Sequence, residues 1–115
     1  MADISGRWIF SEEFDCGTDN GFADIEQHGN HLSACFEYEE CIDDEEPFTI
    51  RQHYTGTIDD THITLVGQRV TDTNNIPFEA YNPDTLEGTY TSEGKIVGHS
   101  YDSANICGVF ILTRP

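Results

Sequence analysis

The sequence predicts an all-β fold, an eight-stranded antiparallel up-and-down β-barrel that forms a single domain over residues 1–115. Apolar and polar residues alternate with period two along most of the chain, and no window shows the stripe of an amphipathic helix. The first apolar run contains Trp8, and the last extends from Val109 to Arg114. An antiparallel sheet loses its exposed edges when its last strand pairs with its first, so an apolar strand near each terminus favours closure.

The clearest predicted hairpin follows the first strand. Residues 23–28 and 31–38 both alternate, and they flank Gly29 and Asn30, two residues that tolerate the positive φ of a two-residue turn. The register of this hairpin predicts two apolar pairs on its inner face, Ile25 with Ala34 and Ala23 with Phe36.

Two further hairpins complete the predicted strands. Residues 48–58 and 63–69 pair around a turn at 59–62, and residues 86–91 pair with 95–100 around Gly94. In the last hairpin a two-residue turn would place His99 on the inner face. We favour a three-residue turn with Gly94 in the left-handed region, because Tyr90 then faces a buried Ile96 and His99 points outward.

The lengths of the connections distinguish the two ends of the predicted barrel. Tight turns near residues 29, 60 and 93 alternate with longer connections at 15–20, 40–46, 71–84 and 102–105. Alternate connections of an up-and-down barrel share one end. One end is therefore closed by tight turns, with Trp8 and Arg114 near it, and the other is framed by long acidic loops.

The charge balance excludes two classes of partner. Twenty-two acidic residues against five basic ones give a net charge of −17, whereas nucleic acids and anionic membranes both require a basic surface. Such an acidic composition is typical of a well-solvated surface in a salty environment. Alternatively, the acidic residues could form a patch that binds a basic protein or Ca²⁺. The acidic run at 39–46 lacks the ligand spacing of an EF-hand, so we predict no metal site there.

The N-terminal segment has no basic region followed by an apolar run, and no segment approaches the roughly 18 apolar residues of a membrane span. We expect a cytoplasmic protein by default, with a mature secreted domain as the alternative. Cys16, Cys35, Cys41 and Cys107 lack zinc-site spacing. Reduced thiols are expected, although a disulfide joining Cys16 to Cys41 or to Cys107 is geometrically feasible.

These features resemble the lipocalin-like, or calycin, barrels. Gly6-x-Trp8 opens the first strand and Arg114 ends the last, while the pattern Ile25-x-Gln27-x-Gly29-x-x-Leu32 looks like a hairpin of small members of this group. The resemblance implies that Arg114 covers Trp8 at the barrel floor, where a guanidinium stacks well on an indole ring. The short length and the lack of a helix after the last strand fit a minimal barrel and weigh against the transport of bulky lipids.

The interior of an eight-stranded barrel is either filled or holds one small ligand. We expect a small, partly apolar molecule to bind there, entering through the open end. Gln52 and Arg69 would face each other inside, where they could hold a carboxylate, although Arg69 could instead face solvent at a strand end. The predicted ligand-binding residues are Phe36, Tyr38, Gln52, Tyr54, Arg69 and Tyr90.

Two other functions stay open at this point. One is a protein-interaction or inhibitor-type module whose acidic loops at the open end engage a basic partner, and the other is a filled barrel with a purely structural role. No nucleophile elbow, phosphate loop or dinucleotide fingerprint occurs, so an enzymatic function has no support in the sequence and no cofactor is predicted. His28 and His31 flank one turn, but two ligands are too few for a metal site.

Overall fold

Eight antiparallel strands form a closed barrel in which each strand pairs with its neighbours in sequence and the last pairs with the first. This computed structural model describes residues 3–74, 76–77 and 81–115. The predicted all-β, up-and-down architecture is confirmed. The described residues include no helix long and apolar enough to cross a membrane. The strands are β1 (Gly6–Phe14), β2 (Gly17–His28), β3 (His31–Ile42), β4 (Phe48–Asp59), β5 (His62–Thr71), β6 (Asp84–Tyr90), β7 (Ile96–Asp102) and β8 (Cys107–Thr113).

The β2–β3 and β6–β7 hairpins have the predicted registers. Gly29 has a φ of 64° in the first turn, and the pairs Ile25 with Ala34 and Ala23 with Phe36 are present. In the other hairpin Gly94 has a φ of 78° and Tyr90 pairs with Ile96. His99 is consequently exposed on the outer face, as the three-residue turn predicted.

The predicted long connection at 15–20 is wrong. β1 and β2 continue to a two-residue turn at Asp15 and Cys16, with Phe14 paired to Gly17. The alternation of β1 persists past Phe10, but it then places a carboxylate on the inner face, and an inward acid is easily mistaken for the start of a loop. The open end is formed by the connections at 15–16, 43–47 and 103–106 and by the described residues 72–74, 76–77 and 81–83. Since the first of these connections is a tight turn, long loops frame this end less uniformly than expected.

The predicted pairing of Gln52 with Arg69 is also wrong. A β-bulge interrupts the β4–β5 ladder, so that Tyr54 pairs with Gly67 but His53 pairs with Arg69. One extra residue reverses the faces beyond it, because side chains alternate with period two. Arg69 is exposed on the outside of the barrel, and Val70 takes the buried position opposite Gln52.

The closed end, formed by the turns at 29–30, 60–61 and 91–95, is sealed by Trp8. The indole is fully buried, and its Nε1 donates a hydrogen bond to the Ile4 carbonyl at 2.9 Å. Arg114 Cζ lies 3.9 Å from the centre of the Trp8 ring, and Arg114 Nη1 donates to the Ser5 carbonyl at 3.2 Å. The predicted barrel floor of Trp8 and Arg114 is present.

Tyr90 belongs to this floor and does not reach the open end. Its ring lies edge-on to Trp8, with centroids 6.4 Å apart, because β6 runs from Asp84 at the open end to Tyr90 at the closed end. The expectation that Tyr90 would line a ligand site near the open end does not fit this position.

Aromatic side chains fill the middle of the barrel. The Phe10 ring centroid lies 5.0 Å from that of Phe36 and 5.3 Å from that of Tyr38, and Phe36 and Tyr54 are 4.7 Å apart. All four are at most 2 % exposed. We call these four residues the aromatic layer: Phe10, Phe36, Tyr38 and Tyr54. The interior below the aromatic layer is apolar, and the layer separates the floor from the open end.

Candidate ligand site at the open end

Immediately above the aromatic layer the interior changes from apolar to acidic. Glu12 follows Phe10 by two residues on β1, and Glu40 follows Tyr38 by two residues on β3, so both glutamates point into the barrel. Asp19 on β2 pairs with Glu12 on one side and with Glu40 on the other. These three residues, the carboxyl row, lie side by side on neighbouring strands and are 5 %, 1 % and 5 % exposed for Glu12, Asp19 and Glu40.

Hydroxyl groups from across the barrel hold the two outer members of the carboxyl row. The Ser100 hydroxyl on β7 donates to Glu12 Oε2. The Tyr81 hydroxyl, in the connection before β6, donates to Glu40 Oε1 at 2.5 Å. A Cβ added at Gly108 would lie 3.0 Å from Ser100 Oγ, so this glycine leaves room for the Ser100 to Glu12 contact.

A second polar group connects the carboxyl row to the aromatic layer. Gln52, fully buried on β4, donates from Nε2 to the Tyr38 hydroxyl at 2.9 Å, and its Oε1 accepts the Asp84 backbone N–H at 2.8 Å. The Tyr38 and Tyr81 hydroxyl oxygens are 3.4 Å apart. A Cβ at Gly67 would lie 2.3 Å from Gln52 Oε1, so the glycine beside the bulge is what admits the amide.

Burial among like charges changes the proton affinity of these acids. Desolvation, reinforced by the carboxyl groups of Glu12 and Glu40, raises the pKa of Asp19 to about 12. Desolvation, together with the charge of Glu12, raises the pKa of Asp84 to about 7, although the Gln52 hydrogen bond opposes this shift. Burial also raises the pKa of Tyr38 and of Tyr81 well above the ordinary range.

One buried oxygen of this site has no donor. Asp19 Oδ1 has no hydrogen-bond partner among the described residues. A proton shared within the carboxyl row would satisfy it, which agrees with the raised pKa of Asp19. An orphan acceptor at this depth costs free energy, because it has lost its water without gaining a partner.

A cavity of about 180 Å³ opens above these groups. An apolar cavity of about 150 Å³ in another protein holds a benzene molecule, so this volume corresponds to a ligand of one ring. Among the described residues no lysine, arginine or histidine lines it. The lining consists of Glu12, Phe14, Cys16, Asp19, Glu40, Ile42, Tyr81, Asn82, Asp84, Ser100, Asp102, Ile106 and Cys107.

The structure separates the residues that the sequence predicted as one ligand site. Phe36, Tyr38, Gln52 and Tyr54 are buried together beneath the cavity without lining it, whereas Arg69 lies outside the barrel and Tyr90 at its floor. The acids that do line the cavity were missed. Continued alternation from Phe10 to Glu12 and from Tyr38 to Glu40 is the signal that would have found two of them.

The four cysteines are free. Cys16 and Cys107 are exposed and lie at the rim of the cavity, and no disulfide joins Cys16 to Cys41 or to Cys107. No group of three or more histidine, cysteine, aspartate and glutamate side chains within the described ranges could hold a metal ion.

The fold defines a class, the small closed β-barrel, and structures of designed proteins share this fold. The chain is similar to a redesigned β-barrel, mFAP1, whose structure contains bound DFHBI, with a TM-score of 0.73, 16% identity, and coverage of 96% of this chain and 94% of that one. It is also similar to a de novo designed fluorescence-activating β-barrel, with a TM-score of 0.67, 13% identity and full coverage of both chains. Such identities show the fold alone. No family model and no curated protein matches the chain.

Proposed function

We propose that this protein binds a small molecule in the cavity at the open end of the barrel. The observation that carries the proposal is the abrupt end of apolar packing above Phe10 and Tyr38, where about 180 Å³ stays unfilled and is bordered by both polar and apolar side chains. Ligand sites combine these two features, because apolar walls contribute affinity and a few polar groups orient the ligand. The similar barrel mFAP1 holds DFHBI, so the architecture is compatible with a bound small molecule.

The proposed ligand is partly apolar and of about one-ring size. Phe14, Ile42 and Ile106 border the upper part of the cavity and supply the apolar contacts. A carboxylate on the ligand was considered because of an inward Arg69, and that side chain is exposed on the outer face. Nothing in the described lining favours a carboxylate ligand.

A lipocalin-like origin stays part of this proposal. The stack of Arg114 on Trp8 and the Gly6-x-Trp8 opening support it. The similarities to solved structures support the broader class of small closed β-barrels.

The test is to measure binding while the cavity entrance is blocked. One-ring cationic, neutral and anionic compounds would be added at millimolar concentration, and shifts of the Ser100 and Gly108 amide signals would be followed by NMR. Cys16→Trp at the rim should abolish the shifts, whereas His62→Trp, exposed at the closed end, should preserve them. The proposal fails if no compound of any charge shifts these signals in the unsubstituted protein.

A second candidate function rests on the exposed loop between β3 and β4. Asp43, Asp44, Glu45 and Glu46 are consecutive and all exposed at the open end, which suits a basic protein partner. Binding to such a partner should weaken as salt is raised. A variant with the four loop acids replaced by asparagine and glutamine should lose it, and equal binding by that variant would remove this candidate.

A further inference from the structure

The chemistry of the cavity base indicates which class of ligand it accepts. We propose that the ligand is a small organic cation, an ammonium or guanidinium group on a body no larger than one ring, with its charged head among Glu12, Asp19 and Glu40. This inference rests on the proposed function, since it assigns a ligand class to the same cavity.

The carboxyl row is the first observation. Cross-strand pairing brings Glu12, Asp19 and Glu40 side by side at one level of the barrel, each at most 5 % exposed. Buried carboxylates are normally paired with a base or a metal, because removing an unpaired charge from water is costly. Among residues 3–74, 76–77 and 81–115 no basic side chain lines this cavity. The base of the cavity therefore holds three neighbouring carboxyl groups and, among the described residues, no basic side chain to pair with them.

The orphan oxygen of Asp19 is the second and independent observation. Asp19 Oδ1 has no described partner, although the side chain is 1 % exposed and lines the cavity. Glu12 also accepts from Ser100 and Glu40 from Tyr81, so the donor for this oxygen is either a proton shared within the carboxyl row or a group of a ligand. An N–H donor from a ligand head would take the place of the shared proton at Asp19 Oδ1, which is the described cavity-lining acceptor without a hydrogen-bond partner.

The walls of the cavity favour an organic cation over a metal ion. No set of three acids in the described part of the chain has the arrangement to hold a metal. Phe14, Ile42 and Ile106 lie above the carboxyl row, where they would contact an apolar body attached to the charged head. The cavity volume of about 180 Å³ limits that body to about one ring.

The cation would compete with a proton for the carboxyl row. Titratable groups facing the cavity from the surrounding elements in the described ranges are Glu12 on β1, Asp19 on β2, Glu40 on β3, Tyr81 before β6, Asp84 on β6, Asp102 on β7, and the rim thiols Cys16 and Cys107. Because burial favours the protonated form of Asp19, an ammonium head must displace that proton. Affinity for the cation should therefore rise with pH as long as the ligand keeps its charge.

Three one-ring ligands of similar size test the charge preference. Benzylamine, benzyl alcohol and benzoate would be titrated into the full chain at pH 8 by calorimetry. We expect benzylamine to bind about ten-fold or more tightly than benzyl alcohol, as a charge-assisted hydrogen bond provides, and benzoate to bind most weakly.

Two matched variants locate the effect. Asp19→Asn should reduce the preference for benzylamine over benzyl alcohol by about ten-fold. Asp59→Asn removes the same charge from an exposed position at the closed end and should leave the preference unchanged. Glu40→Gln provides the same test if Asp19→Asn does not fold.

The outcomes separate this inference from the proposed function. Equal affinity for benzylamine and benzyl alcohol, or an undiminished preference in both cavity variants, would overturn the cationic ligand and retain small-molecule binding. Ca²⁺ that displaces benzylamine at equal concentration would also overturn it, by assigning the carboxyl row to a metal. If none of the three compounds binds at about 10 mM, any interaction with the cavity is at most weakly favourable. That result would overturn the inference and the proposed function together.

Discussion

The two ends of this barrel are made by the same strands and yet have opposite chemistry. At the closed end the Trp8 indole is fully buried, its N–H is bonded to the Ile4 carbonyl, and Arg114 covers its face. At the open end the same alternation carries Glu12, Asp19 and Glu40 into the interior, where an oxygen of Asp19 has no donor within the described part of the chain. The comparison shows that the closed end is arranged for stability, whereas the open end retains unfavourable groups that stability alone does not explain.

The largest expected effect comes from breaking the closed end. Trp8→Ala removes a fully buried indole and leaves a cavity, so the free energy of unfolding should fall by about 3–5 kcal/mol. Urea denaturation measures the change. Phe22→Ala is the control, because Phe22 is 48 % exposed on the outer face of β2 and its truncation should cost far less. Similar losses in the two variants would show that Trp8 does not seal the floor.

The open end should make stability depend on pH in a particular direction. Burial raises the pKa of Asp84 in the folded chain to about 7, above its ordinary value of 3.8, so between these pH values the folded chain holds a proton that the unfolded chain releases. Its stabilising contribution is complete below about pH 4 and is lost as pH rises to about 7. Asp19, with a folded pKa of about 12, extends the decline to higher pH.

Denaturation curves between pH 5 and pH 8 measure this decline. Asp84→Asn should reduce the slope of the free energy of unfolding against pH below pH 7 by up to about 1.4 kcal/mol per pH unit. This is the slope that a difference of one bound proton between the folded and unfolded chains produces. Asp59→Asn at the closed end should leave the slope unchanged. Parallel slopes for the Asp84 variant and the unsubstituted protein would contradict the burial of a protonated acid at the open end.

A smaller effect is expected from the cover of the closed end. Arg114 is exposed, so replacing it by alanine should lower the free energy of unfolding by about 0.5–1 kcal/mol through loss of the stack on Trp8. Arg114→Lys keeps the charge but loses the planar stack, and it should recover only part of this difference. Urea midpoints and the Trp8 emission maximum report both changes. Full recovery by lysine would mean that charge alone acts at the floor.

The smallest expected effect concerns the outside of the barrel. Arg69 is exposed beyond the bulge, so Arg69→Ala should change stability by less than about 0.5 kcal/mol and leave small-molecule binding unchanged. The cavity titration and a urea curve on the same variant check this. Loss of binding would place Arg69 in the site and remove the distinction between the acidic interior and the outer face.

Two of the wrong predictions arise because a local pattern does not show which face of the sheet a side chain occupies. Gln68 and Arg69 are both polar, so nothing in their pattern marks the extra residue that reverses the faces of β5. Glu12 and Glu40 continue the inner face of their strands, but carboxylates are so rarely buried that their positions are typical of a rim or a loop. In both places the local pattern fits an inward and an outward side chain equally well, so only the pairing of the strands decides which face each residue occupies.

The sequence by itself determined the all-β class, the number of strands, and the turns at Gly29 and Gly94. These properties follow from a local period of two and from turn residues with special φ values, which neighbouring residues specify. Only the tertiary structure decided that Glu12, Asp19 and Glu40 converge inside while Arg69 lies outside. Barrel closure and strand register bring together residues distant in the chain, and a single bulge changes which of them meet.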